Sequence, residues 1–360
     1  MSLSIAGIGI VFTRGRGIDS YDDALRQGWI PPSQIELPYV PDKPFLVYQI
    51  EKETLTDRSI LKRIRRADRF SKMAVLAAFD AVHDSGITRE DEISSLGIIT
   101  ATALGPHTTT FRFLDDILDY GDVNVSPTLF SHSVHNAATS YIASVLNSHG
   151  PTVTLTHFFF SFHQALILAE AWLNEGRCKH VLVGSVDECG AVMEYICSRK
   201  LRTAQDGRIK PFNFSPFPLA VPGEGSVFFL ITRGECRKRY CEITGVYMGT
   251  NNIEEDRPDM YVIDANGLTE DEIKYKDTLI PNALVAGYAP VFGSIMTGSS
   301  FNCAAAALML KNQVQYACPV QDNPFGVNLC AMTEHAQIEE IQCIKNSCDQ
   351  KKAVIKLKRS

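Results

Sequence analysis

An α/β fold is predicted for this chain by the alternation of short, apolar, β-branched runs with stretches of helical spacing, and by one junction where such a run passes directly into a helix. Residues 4–12 form the first strand pattern. Residues 20–60 read as irregular, punctuated by Pro31, Pro32, Pro38, Pro41 and Pro44. Residues 62–84 read as a helix, with Phe70, Met73, Ala74, Ala77, Ala78 and Ala81 on helical spacing and Asp84-Ser85-Gly86 as the stop. Leu96 to Thr102 is a buried strand and Asn136 to Leu146 a helix. The junction follows, with a strand over residues 152–158 and a helix over 164–175. Lys179 to Asp187 is a further strand. A proline-rich loop over 211–223 leads into a strand at 223–231. Beyond 241 the pattern predicts strands near 259–264 and 285–295, a helix near 300–314 and a last strand at 352–358. The expected organisation is one intimate domain of two halves, residues 1–240 and 241–360. No internal repeat and no low-complexity tract is visible.

The junction is the most informative segment. A strand that turns sharply into a helix is where enzymes display a nucleophile, with helix N-terminal amides free to bind an oxyanion. The turn here carries Phe158, Phe159 and Phe160. A benzyl group has no nucleophilic atom, so the expectation is a site that is built and then plugged by Phe159. Ser161 and His163 lie beside it and form an alternative hydrolase or acyltransferase pair. At a spacing of two, however, they stand about 200° apart around a helix. His132 and His135 could share one side of a helical turn, yet a metal would need a third ligand that the sequence does not supply, so histidines satisfied in a core or interface are expected.

The bulk numbers exclude little and bound much. The chain has 360 residues, 45% hydrophobic and 21% charged, with a net charge of −6. That length buries a large core, and the acidic balance argues against a nucleic-acid binder. A local basic run, Lys62, Arg63, Arg65, Arg66, Arg69 and Lys72, reads as a solvated helix face or as a dock for an acidic partner. The ten cysteines are scattered without CxxC pairs. Cys236/Cys241 and Cys343/Cys348 are each separated by four residues without nearby histidines, which predicts reduced thiols rather than zinc or disulfides. No basic leader precedes the first strand, and no apolar run reaches the roughly 20 residues of a bilayer span. A cytosolic protein is expected.

Several segments, in order, resemble the β-ketoacyl synthase family. Arg66-Ala67-Asp68-Arg69-Phe70-Ser71-Lys72-Met73-Ala74 is similar to its "RRMDRFSKMA" helix. Gly150 to Ser161 resembles "GPSLTVSTACAS", and Val183 to Glu188 resembles "AGGAEA". Ser126-Pro127-Thr128-Leu129-Phe130 through Asn136-Ala137-Ala138 resembles the loop and helix before the nucleophile strand. Lys210-Pro211-Phe212 with Gly223-Glu224-Gly225 resembles "RPFD…GEGA", and Met296-Thr297-Gly298 with Ala304 to Leu308 resembles "KSMTGHLLGAAGA". The resemblance implies a thiolase-like, five-layer α-β-α-β-α fold. It also implies where condensing residues should stand: the cysteine falls on Phe159, the two histidines on Asn266 and Ser299, and the lysine on Ser294. The C-terminal glycine motif is replaced by Cys348-Asp349-Gln350-Lys351, and the stretch between Ile231 and Asp264 is short enough that a helix is expected to be missing.

Those departures imply a non-condensing member, a chain-length factor most similar to those of bacterial aryl polyene biosynthesis. Such a subunit pairs with an active β-ketoacyl synthase across the nucleophile strands, calls for no cofactor or metal, and meets an acyl carrier protein through the complex. By family position Leu104, Leu129, Phe130, Phe158 and Phe159 are expected at the tunnel or interface, and Lys62, Arg65, Arg66 and Arg69 at the carrier-protein dock. A scaffold that stabilises the synthase without shaping its product shares every one of these features.

Overall fold

The computed structural model describes residues 3–37, 40–201, 203–210, 219–234, 239–250, 257–268, 275–324, 326–347 and 351–360. The first part of the chain runs β1 (Leu3–Phe12), β2 (Gly15–Arg16), α1 (Ile18–Gln27), β3 (Ser33–Leu37), β4 (Val40–Val47), α2 (Leu61–Ile64), α3 (Arg69–Ser85), α4 (Glu90–Ser94), β5 (Gly97–Thr102), α5 (His107–Tyr120), α6 (Pro127–Ser133) and α7 (Ala137–Leu146). It continues with β6 (Thr152–Thr156), α8 (Ser161–Asn174), β7 (His180–Asp187), α9 (Ala191–Lys200), β8 (Gly225–Thr232), β9 (Glu242–Gly249), β10 (Met260–Ile263) and α10 (Tyr275–Thr278). The last elements are β11 (Leu284–Ala286), α11 (Ala289–Phe292), α12 (Ser299–Asn312), β12 (Val314–Gln315), β13 (Glu334–His335), β14 (Glu340–Asn346) and β15 (Lys352–Lys358).

The main sheet is two copies of one pattern joined at a seam. One half runs β1-β8-β7-β5-β6 and the other β9-β15-β14-β10-β11. In each, the first two pairings are antiparallel and the last two parallel. The halves meet where Leu3 and Ser4 of β1 pair with Ile243 and Glu242 of β9. In each half the last strand is followed by a long helix that returns between the sheets. α8 packs on β5 and β7 and also on β9 and β15, while α12 packs on β10, β14 and β15 and also on β8. With sheet on both sides, α12 is buried from Ser299 to Leu310, and Ala304 to Ala307 let the sheets approach it closely. α3 and α7 cover the outer face of the first half. The outer face of the second half is covered more thinly, by Tyr275 of α10 packed with Tyr261, Ile263, Val285, Ile344 and Val354.

β1 passes through the centre of this arrangement. A bulge between Ile5 and Gly7 resets its alternation, sending Ile8, Ile10 and Phe12 into the inner core while Gly7 and Gly9 face α3. α3 begins at Asp68, whose carboxylate accepts from the Ser71 amide at 2.8 Å, and stops at Gly86 with φ 72°.

Four expectations are corrected. Residues 20–60 are not irregular: they hold α1 and the β3–β4 hairpin. The prolines Pro41 and Pro44 are tolerated because β4 belongs to a two-stranded ribbon with free edges. The strand expected at 285–295 is only three residues long, β11, before Pro290 starts α11. The helix expected over 62–84 is broken between Ile64 and Arg69, and the helix expected from 164 starts at Ser161. Between β8 and β10 the described residues hold one strand, β9. Pro211, Phe212, Cys236, Cys348, Asp349 and Gln350 lie outside the described residues. The eight described cysteines are free thiols, all buried except half-buried Cys318. No helix among the described residues is long and apolar enough to cross a membrane.

Candidate functional site

β6 is the edge strand of the sheet, parallel to β5 in the register Ile98 to Thr152, and among the described residues no strand lies on its other side. It ends in a turn, His157 to Phe160, that launches α8. The three phenylalanines separate by direction. Phe158 points outward, 55% exposed, Phe159 is half-buried, and Phe160 is fully buried with its ring edge-on to His163 at 5.7 Å. Of the three rings Phe160 is the buried one, while Phe159, expected to plug the site, is half-buried. The alternation of the turn carries residue 160 inward and leaves residue 159 on the rim.

The turn is held by His157, a residue that sequence reasoning passed over. Its Nδ1 accepts from the amides of both Phe159 and Phe160, each at 3.1 Å, and its ring stacks on Phe160 at 5.7 Å and 22°. Two amides of the turn just ahead of α8 are thus engaged.

Behind the turn lies a buried polar centre. The loop after β10 brings Asp264 and Asn266, and the loop before α12 brings Ser294 and Ser299, all four buried. Asp264 accepts from Ser299 Oγ at 2.7 Å, from Lys345 Nζ at 2.7 Å and from Asn302 Nδ2 at 3.4 Å. Lys345, 3% exposed, also donates to the Met296 carbonyl. Asn266 donates to the Ile295 carbonyl at 3.0 Å and accepts on its own carbonyl from Ser294. The structure therefore brings Asn266, Ser299 and Ser294 together, as their expected places require, but ties them to one another and to an ion pair. Burying such a pair is tolerable only because each charge has additional partners. Lys345 was legible only as a charge inside the apolar run of β14.

His163 faces this centre from α8. Among the described residues neither of its ring nitrogens has a hydrogen-bond partner, and burial, with the Lys345 charge second, pushes it down to about 3. Ser161 is buried beside it, and among the described residues no hydrogen bond joins the two. The pairing needed for a Ser161–His163 nucleophile is not formed. His132 donates to or accepts from Tyr141 at 2.8 Å, His135 lies against Gly105, and no metal-binding group of three ligands occurs among the described residues.

An open cavity of about 160 Å³ adjoins the polar centre, its wall almost wholly apolar. Leu104, Met193, Ile196, Leu268 and Met296 line it together with Glu188. Burial pushes Glu188 up to about 8, although its Oε1 accepts the Thr108 amide at 2.8 Å. Asp187 fixes the floor. One carboxylate oxygen takes Thr102 Oγ1 and the Ala103 amide, and the other takes the Thr297 amide at 3.0 Å. Leu104 faces this cavity; Leu129, Phe130, Phe158 and Phe159 do not line it. Leu129 is half-buried on α6, and Phe130, 58% exposed, packs at a tilt against Phe113 of α5 at 5.5 Å. α5 itself exposes Phe111, Leu114 and Leu118, spaced to lie on one helical face, with Leu118 81% exposed.

The basic run divides. Lys62, Arg65 and Arg66 are exposed. Arg69 is not available to an outside partner: its guanidinium pairs with the fully buried carboxylate of Glu224 and donates to the Ile50 carbonyl. Arg63 donates to the Val145 carbonyl.

Comparison with known proteins gives a consistent picture. Residues 2–236 match the model of the β-ketoacyl synthase N-terminal domain. An oxytetracycline polyketide putative β-ketoacyl synthase 1 of Streptomyces rimosus is 26% identical over 207 residues, covering 53% of this chain and 48% of the relative. A putative polyketide β-ketoacyl synthase 1 of Streptomyces halstedii is 28% identical over 265 residues, covering 67% and 61%. The matched stretches thus span about half to three-fifths of these relatives' own length. Among solved structures, the ishigamide ketosynthase/chain length factor superposes with a TM-score of 0.81 over 100% of this chain and 99% of its own, at 17% identity. A β-ketoacyl synthase from Burkholderia phymatum does so with 0.81 at 15% identity, with the same coverage. A type II polyketide acyl-carrier protein complexed with its ketosynthase gives 0.78 at 14% over the same spans. The doubled sheet with α8 and α12 between its halves is the thiolase-like fold of the ketosynthases, and this chain belongs to the β-ketoacyl synthase family.

Proposed function

We propose that this chain is a non-condensing subunit that pairs with an active ketosynthase and shapes its acyl tunnel. The observation that carries the reading is the elbow: its fold is complete, yet it presents Phe158, Phe159 and Phe160 in place of a thiol, with Asn266 and Ser299 bound into a static network behind it. Condensation needs a nucleophile and groups that stabilise the developing enolate; the phenylalanines supply no nucleophile, and Asn266 and Ser299 already donate to protein groups. The edge strand β6 and the apolar face of α5 and α6 support a protein partner, since an unpaired edge beside exposed Phe130, Leu118 and Phe158 is costly in water. The likeness to a ketosynthase/chain length factor supports the nature of that partner. In this reading Leu104 lines the cavity while Leu129, Phe130 and Phe158 reach the partner, and Lys62, Arg65 and Arg66 steer an acidic carrier protein by charge. An aryl polyene product is the finest form of the proposal and rests on the resemblance of the sequence.

Co-expression with an active β-ketoacyl synthase from the same source tests the reading. A one-to-one complex that condenses malonyl thioesters, beside an inert isolated chain, is expected. Substituting Leu129→Trp, Phe130→Trp or Leu104→Trp should shorten the product by at least one two-carbon unit. Condensation or hydrolysis by the chain alone overturns the proposal, and unchanged product length in an intact complex leaves only a stabilising scaffold.

A further inference from the structure

We propose that His157 is a built-in occupant of the oxyanion position, so that this elbow is closed to a thioester carbonyl independently of the lost nucleophile. In an acyl-transfer elbow the main-chain amide at the nucleophile and its neighbours are held free, because the tetrahedral oxyanion must find donors already aimed at it. Here the amides of Phe159 and Phe160 converge on a single atom, His157 Nδ1, at 3.1 Å each.

Three features make this contact a fixed part of the fold. Nδ1 stands the same number of bonds from the main chain as the side-chain oxygen of Asn or Asp. It therefore reaches the amides two and three residues on in the manner of an ordinary cap. The ring is clamped by stacking on Phe160, which is itself fully buried against His163. The main chain of His157 is tied to the end of β5, its amide donating to the Thr102 carbonyl at 3.2 Å. Accepting two amides requires Nδ1 without a proton and the hydrogen on Nε2. The residue is a positioning residue: it holds the turn ahead of α8 and sets Phe158 outward and Phe160 inward.

The inference deepens the non-condensing reading of the same elbow. It states that restoring the thiol does not restore acylation. A thiol introduced by F159C would attack a thioester carbonyl, forming one carbon–sulfur bond and expelling the original thiol. The oxyanion formed between these steps would meet amides already bound to imidazole.

Two measurements on the intact chain test this. In hydrogen exchange, H157A should speed exchange of the Phe159 and Phe160 amides roughly tenfold, whereas H157N, which keeps an acceptor at the same reach, should preserve their protection. This readout involves no catalysis, so it stands or falls apart from any result on the partner or its product. In intact-mass assays with hexanoyl-N-acetylcysteamine, F159C should be alkylated by iodoacetamide yet acylated roughly tenfold more slowly than F159C/H157A. Unchanged exchange in H157A overturns the proposal. So does F159C acylating as fast as the double variant, whether because both react or because neither does while both are alkylated.

Discussion

His163 is the residue whose titration the structure constrains most plainly. Buried without a hydrogen-bond partner among the described residues and beside the Lys345 charge, it is held down to about 3 from an ordinary value of 6.5. The folded protein therefore keeps it neutral where the unfolded chain would protonate it. Its contribution is complete above pH 6.5 and is lost as pH falls from there toward 3. At about pH 4.5 the loss is on the order of 2–3 kcal/mol. His163→Leu removes the titration and two unsatisfied nitrogens, so the difference in urea stability between neutral and acid pH should shrink by that amount; an unchanged pH profile would contradict it. Legibility at this scale was uneven. Phe159 was conspicuous because a hydrophobe stood at a functional turn. His157, Asp264 and Lys345 were not, because their meaning depends on which atoms face them across 81 residues of sequence for Lys345 and Asp264, and on a turn geometry for His157.

Among the elements, β1 and α3 show how sequence and packing correspond. A Cβ at Gly9 would stand 2.0 Å from the Ala77 carbonyl oxygen and one at Gly7 2.2 Å from that of Ala81, both backbone atoms that cannot step aside. The alanines of α3 and the glycines of β1 are one feature: helix and strand touch nearly backbone to backbone. Gly9→Ala should therefore cost about 2–3 kcal/mol through overpacking, measured by urea unfolding. A cost under about 0.5 kcal/mol would mean that α3 can shift. The long elements were legible because burial imposes a clear period on them: α3, α7, α12, β5, β7, β8 and β15 all sit near their expected residues. The β3–β4 hairpin was hidden by its prolines. β9 was hidden by its half-exposed pattern, and β14 by the polar residues Gln342 and Lys345 inside it.

At the scale of the whole molecule the exposed face of α5 and α6 is the feature with a functional consequence. Leu118→Asp should abolish pairing with a ketosynthase in size-exclusion chromatography while leaving the isolated chain as stable as before, because that side chain is already 81% exposed. A complex that survives the substitution would remove α5 from the interface. The doubling was not legible as an internal repeat, only as the two halves that the family resemblance implied, since two halves can share strand order and direction while sharing no residue pattern. What they conserve is the path of the chain, and each half fills its copy of that path with a different core. The path has a further consequence for how the protein is made. β1 precedes both of its long neighbours in the chain, yet it occupies the centre of the sheet, with β8 on one side and the seam to β9 on the other. Apart from β2, which pairs only with Val11 and Phe12, its partner strands begin at Gly225 and Glu242, so on the ribosome most of this buried strand must wait for them before its edges are covered. A nascent chain arrested before that point would expose a sticky, unmatched strand, which makes this protein a natural client for chaperones that bind during synthesis.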